Sequence, residues 1–422
     1  MKKSILLAVL CLCCVFPHSV RAGAPPLDME GLTAQMDELK ALVVDLEAMV
    51  RSQQARLEDL EQANRALREG SVGPQVVLAS PAPERAPVTA PGLSAFNPEI
   101  GMLADVTANL SQSRADTEGN DKLSVRELEL IIGHDVDPYS RFDSTITFSD
   151  FEDVALEEAY ITHWGLPLDL KGRLGRIRPK IGKASSVHRD QLDTVDEPLV
   201  VQSYLGVEGL YRTAAELSYF LPLPWERVTH EVTAGVMEGG IGEDGTLFGS
   251  TRRRPSLYTH LKNFVDFSDL TNLELGFTHL TGSKDADEHF EVNAVGFDAT
   301  LVHYFTPQNK LKLQSELYLQ NRDETDAGLD DNPWGLYALA DYRLSPRFGI
   351  GGRFDFVEPV DNAVENPRDE DVAWNGYLTF YQSEFARWRA QYQHLEEADG
   401  GNDDKVFLQG TVAIGVHKHQ LQ

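Results

Sequence analysis

The chain has 422 residues, with 38 Lys and Arg against 66 Asp and Glu, and a formal net charge of -28. This length allows one large domain or two to three ordinary ones. Beyond the extreme N-terminus, the sequence has no apolar run of about 18 residues, which excludes a helical membrane protein but not a membrane β-barrel.

The first 24 residues have the features of a secretory signal peptide. Lys2 and Lys3 precede the apolar stretch "SILLAVLCLCCVF", and "SVRAGA" offers small residues for cleavage after Ala22 or Ala24. The apolar stretch is too short and wrongly flanked for a membrane anchor, which is the alternative. We therefore expect residues 1–24 to be removed during export.

All three cysteines, Cys11, Cys13 and Cys14, lie inside that peptide. The exported chain would then have no disulfide, and a large core or a closed hydrogen-bonded sheet has to stabilise it instead.

Residues 25–69 are predicted to form a periplasmic coiled coil. Apolar residues recur at alternating spacings of four and three, the heptad pattern of a coiled-coil seam. The seam positions are Leu32, Met36, Leu39, Val43, Leu46, Val50, Gln53, Leu57, Leu60, Asn64 and Leu67. The Pro- and Ala-rich residues 70–95 follow as an extended linker.

From residue 96 the hydrophobic period changes to two, so residues 96–422 are predicted to be all-β. In "DVAWNGYLTFY", Val372, Trp374 and Leu378 alternate with the small or polar Ala373 and Thr379. We count sixteen such strands. The connections between them are alternately short with flanking aromatic residues and long and acidic. This is the pattern of a 16-stranded antiparallel transmembrane β-barrel with short periplasmic turns. A large soluble β-sandwich is the alternative.

A basic run stands out in this acidic chain. Residues 169–183 read "DLKGRLGRIRPKIGK", and a long segment without alternation follows. We expect that segment to fold inward and to form a pore constriction with the basic residues. The candidate constriction residues are Lys171, Arg173, Arg176, Arg178, Lys180, Lys183, His188 and Arg189. Asp190, Asp193, Asp196 and Glu197 are candidates for the opposite side.

The facing of these cations depends on Gly175. Lys171 and Arg173 share one parity along a strand, whereas Arg176 and Arg178 share the other. A β-bulge at Gly175 would turn all four into the lumen. Otherwise, either the strand ends near Gly175 or some cations face lipid, where a charge costs about 2–4 kcal/mol.

A positive ring in a pore attracts anions. Two other interpretations of the basic run stay open. The cations could neutralise lumenal carboxylates such as Glu127, Glu129, Glu157 and Glu158, or they could bind lipopolysaccharide phosphates.

The stretches "RELELIIGHDVDPYSRFDSTITF" and "LEEAYITHWGLPLDLKGRLGRIRPKIGK" resemble the phosphate-selective porin O and P family. The resemblance covers residues 96–422 and includes the order of signal peptide, coiled coil, linker and barrel. It implies a 16-stranded outer-membrane barrel, usually trimeric, that passes anions or small solutes. Only His188 stands where relatives have a His-rich stretch, and the resemblance does not identify phosphate ligands.

Other motifs are weaker. Residues 116–127 mimic a calcium loop but have Asp121 where that loop requires glycine, and His417 and His419 lie at the chain end. We expect no enzymatic activity, cofactor, metal or nucleic-acid partner.

Three functions are compared. The leading one is a porin that allows passive diffusion of small solutes and prefers anions if basic residues line its constriction. The second is a structural tether that reaches the cell wall through the coiled coil, and the third is a TonB-dependent receptor, which would need a plug domain. Outer-membrane lipid and lipopolysaccharide, small solutes or anions and two further copies of the chain are the expected partners.

Overall fold

The computed structural model of the chain describes residues 98–113, 121–150, 154–225, 227–241, 247–251, 253–285, 287, 289–323, 332–360 and 370–415. These residues form one closed antiparallel β-barrel of sixteen strands. The signal peptide, the coiled coil, the linker, the core of the calcium-like loop and the two C-terminal histidines lie outside the described residues.

The strands follow one another around the barrel in chain order, and each pairs antiparallel with its neighbours. They are β1 Glu99–Ser111, β2 Lys122–Asp137, β3 Ser140–Phe148, β4 Ala155–His163, β5 Lys171–Ile177, β6 Arg212–Leu221, β7 Val228–Met237, β8 Ser256–Ser268, β9 Thr271–Ser283, β10 Glu291–Thr306, β11 Asn309–Arg322, β12 Trp334–Arg343, β13 Phe348–Val357, β14 Asp371–Ser383, β15 Ala386–Glu396 and β16 Asn402–Gly415. β1 also pairs with β16, which closes the sheet. The predicted fold class and strand number are confirmed.

The period of two in the sequence corresponds to side chains that lie alternately on the outer and the inner surface of the barrel. On β14, Trp374 and Leu378 are 58% and 49% exposed on the outer surface, whereas Asn375 and Thr379 are 7% and 1% exposed on the inner one. Apolar residues outside and polar residues inside are the reverse of a soluble sandwich, and they suit a barrel surrounded by lipid.

The two ends of the barrel differ. At one end, here called the short-turn end, the connections are residues 138–139, 164–170, 222–227, 269–270, 307–308, 344–347 and 384–385. At the other, the long-loop end, they are residues 112–121, 149–154, 178–211, 238–255, 284–290, 323–333, 358–370 and 397–401. None of the helices in the described part of the chain has the length and apolar character to span a bilayer.

The β-bulge at Gly175, one of the alternatives for the basic run, is absent. β5 pairs with β4 and with β6 in unbroken register through Gly175. Lys171 and Arg173 therefore face the lumen, while Arg176 has the outward parity of Leu174. The other expectation for this segment applies, because the strand ends at Ile177 and Arg178 is already free of the alternation.

A bulge does occur on the neighbouring strand. The register between β3 and β4 shifts between Thr145 and Ile146, so that Glu157 is an extra residue on β4. As a result Glu157 and Glu158, although adjacent, are both buried at 2% and 8% exposure inside the barrel. A bulge re-aims a side chain in this way at the cost of one ladder position.

Gly175 has a different role, which is close contact with β4. Its φ is +133°, and a Cβ placed there would lie 2.2 Å from the carbonyl oxygen of Ala159 and 2.8 Å from Cα of Tyr160. No other residue fits without moving the strand, because positive φ and the steric clash both exclude a side chain.

We expect Gly175→Ala to destabilise the folded barrel by about 1–3 kcal/mol, the range for a strained backbone residue. The measurement is the temperature at which the detergent-purified barrel loses its compact, heat-modifiable gel mobility. Gly376→Ala is the matched control, because a Cβ at Gly376 meets no atom within 4 Å. Equal melting of the two variants would contradict this account of Gly175.

Candidate pore constriction

Residues 178–211, here called the inward loop, connect β5 to β6 and fold into the barrel. The chain leaves the wall after Ile177 because Pro179 has no N–H to donate to a ladder. The loop contains a 3₁₀ helix at Arg189–Gln191 and one short α-helix, α1 Leu199–Tyr204, which packs against β12 and β13. The predicted inward fold of this segment is therefore what the structure shows.

An apolar core fixes the loop to one side of the barrel. From the loop it contains Ile181, Ala184, Leu192, Val200, Val201, Tyr204, Leu205 and Leu210. From the wall it contains residues of β6 to β13, among them Met237, Tyr258, Leu280, Val292, Tyr318, Tyr337 and Val357. Burial of such side chains contributes about 1.5–3 kcal/mol each, so this core stabilises the loop in the lumen.

The start of the loop is held by an ionic clamp on β4. Arg178 is only 4% exposed and donates from Nη2 to Oε2 of Glu157 at 2.8 Å. Its main-chain N–H donates to Oε1 of Glu158 at 3.2 Å. These contacts use the two carboxylates that the β4 bulge turns inward. Arg178 thus belongs to the fixation of the loop.

His188 continues this clamp. Its Nε2 lies 3.1 Å from Oε2 of Glu158, and its Nδ1 lies 3.4 Å from Oε2 of Glu157 and 3.7 Å from Oε1 of Glu129. Burial and Arg178 lower the pKa of His188, but the surrounding carboxylates outweigh them and hold that pKa well above its usual 6.5.

Arg189 connects the loop to β2. Its Nη1 lies 3.1 Å from Oε1 of Glu127 and 3.2 Å from Oε1 of Glu208. Arg178, His188 and Arg189 thus make the carboxylate contacts that the first alternative interpretation of the basic run named.

A second clamp holds the loop on the opposite wall. Arg353 of β13 is fully buried and donates from Nη1 to Oγ1 of Thr194 at 2.5 Å and from Nη2 to Oδ2 of Asp196 at 2.9 Å. Its Nε donates to Oδ2 of Asp355 at 2.8 Å. Burial opposes ionisation of Asp196, but Arg353 outweighs it and lowers the pKa of that carboxyl. The loop therefore crosses the lumen from β4 to β13.

Further contacts complete the second clamp. Arg389 of β15 donates to the carbonyl oxygen of Thr194 at 2.7 Å, and Gln391 accepts from the main-chain N–H of Val195 at 2.7 Å. Lys312 of β11 donates to Oδ2 of Asp193 at 2.7 Å. Asp193 and Asp196, two of the four predicted loop acids, thus contact wall cations that were not among the predicted site residues.

Three more residues of the basic run lie in the lumen. Arg173 forms a 2.7 Å ion pair with Glu216, Lys180 a 2.6 Å pair with Glu231, and Lys183 a 2.8 Å pair with Glu274. The side chains of Lys180 and Lys183 keep 34% and 28% exposure, in contrast to that of Arg178.

Lys171 and Arg176 take no part in these ion pairs. Lys171 is at the short-turn end, where its ammonium lies 6.0 Å from the centroid of the Trp164 ring. Arg176 is on the outer surface, and its guanidinium lies 4.9 Å from the centroid of the Tyr211 ring. The structure therefore brings seven of the eight candidate residues into the barrel and places Arg176 outside.

Other cations face the lumen from the half nearer the short turns and from the inward loop. Nine of them are here called the lumenal basic belt: Lys171, Lys180, Lys183, Lys262, Lys310, Lys312, Arg343, Arg387 and Arg389. Four of its members pair with three carboxylates: Lys180 with Glu231, Lys183 and Lys262 with Glu274, and Lys312 with Asp193. The other five have no carboxylate within ion-pair distance in the described part of the chain.

Some of the five members without an ion pair make other contacts. Lys310 and Arg343 face each other in register on β11 and β12. The guanidinium of Arg343 lies 3.6 Å from the centroid of the Tyr381 ring, a cation–π contact. Such contacts do not neutralise charge, so these cations keep their positive charge in the lumen.

The sequence contained a signal for part of the belt. Arg387 and Arg389 have the spacing of two that places both on one face of a strand, and that face is the polar one. Which distant strand each faces is a property of the closed barrel, and alternation does not reveal it.

Glu197 is the exception among the loop acids. It is 1% exposed, and neither carboxylate oxygen has a hydrogen-bond partner among the described residues. Burial raises the pKa of Glu197 to about 7, against the opposing effect of Arg178, Arg189 and Arg353. Near neutral pH this carboxyl is thus partly protonated.

We expect Glu197→Gln to remove a pH-dependent loss of stability. The folded state holds the proton of Glu197 more tightly than the unfolded state, so the wild type loses stability as pH rises from about 4.5 to about 7. Above that range the variant should be more stable by on the order of 3 kcal/mol. Thermal unfolding in detergent at both ends of the range measures this, and a constant difference between the proteins would contradict it.

We expect Arg353→Met to release the tip of the inward loop, because removal of one partner from a buried ion pair costs about 3–5 kcal/mol. Proteolysis within residues 178–211 should become faster and single-channel conductance larger and noisier. Arg347→Met, at an exposed short turn, is the control. Unchanged proteolysis and conductance would show that Arg353 does not hold the loop.

No family model matches the sequence. An uncharacterized protein of Aquifex aeolicus (strain VF5) is 26% identical over 320 residues, which cover 68% of each chain.

Several solved structures share the fold. OprB of Pseudomonas putida is 12% identical, with a TM-score of 0.52 over 75% of this chain and 94% of that one. The outer-membrane channel DcaP of Acinetobacter baumannii is 10% identical, with a TM-score of 0.51 over 75% and 96%. An anion-selective porin from Comamonas acidovorans is 10% identical, with a TM-score of 0.50 over 75% and 100%. The chain thus has the fold of outer-membrane porins.

Proposed function

We propose that the protein is an outer-membrane porin that lets small solutes diffuse passively and prefers anions. The lumenal basic belt is the observation that carries the preference. Five of its nine cations have no paired carboxylate among the described residues, so the belt contributes positive charge to the passage beside the inward loop. A channel lined in this way concentrates anions and repels cations.

The two clamps and the belt have different roles in the proposed pore. The inward loop narrows the lumen, since it contacts β2, β4, β11 and β13 through ion pairs. Lys180, Lys183 and Lys262 keep about a third of their side chains accessible, so they can contact a passing solute. The constriction is therefore the passage between the loop and the belt.

The same proposal assigns orientation and assembly. The short-turn end would face the periplasm and the acidic long loops the outside, as in other outer-membrane barrels. The exposed apolar side chains on the outer surface would contact lipid and lipopolysaccharide. We further propose a homotrimer, with the coiled coil of residues 25–69 in the periplasm as its trimerisation element and as a possible contact with the cell wall. The family resemblance supports the trimer.

We expect the wild-type pore to be anion-selective and Lys310→Gln/Arg343→Gln to reduce that selectivity. The two substitutions remove adjacent unpaired charges from the belt while they keep hydrogen-bonding side chains. Reversal potentials in a salt gradient across a planar bilayer measure the effect, and the ratio of anion to cation permeability should fall at least about twofold.

Arg176→Gln is the matched control. It removes one cation from the same barrel, but on the outer surface, and should leave the reversal potential unchanged. A cation-selective wild type, or equal effects of the belt and control variants, would refute the proposed selectivity. A chain that folds but forms no conducting channel would refute the porin function itself.

A further inference from the structure

One cluster of side chains has a geometry that loop fixation does not require. His188 of the inward loop meets Glu129 of β2 and Glu157 of β4, and all three are buried. One nitrogen and two carboxylate oxygens, one from each residue, lie within 4.8 Å of one another. Three separate segments of the chain thus contribute one ligand atom each.

The distances within the cluster are informative. Nδ1 of His188 lies 3.4 Å from Oε2 of Glu157 and 3.7 Å from Oε1 of Glu129. Both separations exceed the usual 2.7–3.2 Å of an N–H···O hydrogen bond. In tetrahedral zinc coordination the ligand distances of about 2.0–2.1 Å place neighbouring ligands about 3.4 Å apart. The spacing therefore suits atoms arranged around a small divalent cation.

The second ring nitrogen of His188 has the environment of a metal ligand. Nε2 lies 3.1 Å from Oε2 of Glu158. A histidine that binds a metal through one nitrogen commonly donates its other N–H to a carboxylate, which fixes the tautomer and the ring orientation. The β4 bulge provides that carboxylate next to the proposed ligand Glu157.

Glu157 is oriented in the same way. Its Oε1 accepts a hydrogen bond from Thr147 at 2.6 Å, and its Oε2 accepts one from Arg178 at 2.8 Å. These bonds fix the carboxylate so that Oε2 points toward the imidazole. Supports of this kind are typical of the outer shell of a metal site.

The charged side chains around the cluster also favour a bound cation. Four buried carboxylates surround the cluster, Glu127, Glu129, Glu157 and Glu158. Two arginines accompany them, Arg178 and Arg189. The four carboxylates outnumber the two arginines, and buried charge without compensation is costly. A cation between the three ligand atoms would compensate the excess.

A cavity adjoins the cluster. A cavity of about 190 Å³ is lined by Glu129, Glu158 and His188 and also by Ser186 and Gln191. Such a cavity has room for water beside the cluster, and catalytic or exchangeable zinc sites keep one position for water.

We propose that Glu129, Glu157 and His188 form a binding site for a divalent cation of the zinc type. Imidazole and carboxylate ligands in a small tetrahedral arrangement suit Zn²⁺ better than Mg²⁺ or Ca²⁺, which prefer six or more oxygen ligands. Since His188 lies on the inward loop and both glutamates on the wall, a bound ion would join the loop to β2 and β4 at the constriction.

The test is zinc binding to the full chain purified in detergent, measured by titration calorimetry and by metal analysis after gel filtration. We expect one Zn²⁺ per chain for the wild type. Glu129→Gln and His188→Gln should weaken binding at least about tenfold. His279→Gln, which removes a histidine from the outward face of β9, is the matched control and should bind as the wild type does.

A measurement on the wild type alone keeps the proposal falsifiable if a variant fails to fold. The X-ray absorption spectrum of the zinc-loaded protein should show nitrogen and oxygen neighbours at about 2.0 Å with the signature of a single imidazole. No zinc retention, more than one imidazole, or unaltered binding in both site variants would overturn the proposal. Because no current is measured, the outcome is independent of porin function.

Discussion

The hydrogen bonds between β1 and β16 close the sheet, and the rest of the structure depends on that closure. A lipid bilayer offers no partner for a main-chain N–H or C=O, so a sheet can span it only without free edges. Closure also creates an interior that no lipid reaches. Strand alternation then directs polar side chains into that interior, and the barrel must compensate many buried charges there. The inward loop provides much of this compensation, since it brings Arg178, His188 and Arg189 to the carboxylates of β2 and β4.

The barrel was predictable from the sequence because its signals are local. A period of two, aromatic-flanked turns and acidic loops each require only neighbouring residues, and all sixteen strands lie where this pattern indicates. It was harder to predict which side chains of the basic run face the lumen, because a single bulge reverses the inward and outward positions of all residues that follow it. The clue was "LEEAY" on β4, where the adjacent Glu157 and Glu158 interrupt the alternation. Gly175 suggested a bulge but serves close packing against Ala159 instead.

Contacts across the lumen could not be predicted from one sequence. Arg353 and Asp196 are 157 residues apart, and only the curvature of the closed sheet brings them to 2.9 Å. The same holds for Lys312 and Asp193. From the sequence we could predict one side of the candidate constriction, the side on the loop and its preceding strand. The facing side, on β11 to β15, could not be predicted, because it depends on which part of the wall the inward loop reaches across the lumen.

The choice between arginine and lysine follows this division. The residues that fix the loop are the buried Arg178, Arg189 and Arg353, whose planar guanidinium groups hold several oxygens in fixed directions. The residues beside the passage are mainly lysines, whose flexible stems carry a compact charge. Lys183 and Lys262 share Glu274, so either can exchange that carboxylate for a passing anion while the other keeps Glu274 compensated. In the proposed porin, the buried arginines of the two clamps thus determine the shape of the constriction, and the belt, with six lysines and three arginines, determines which charge passes through it.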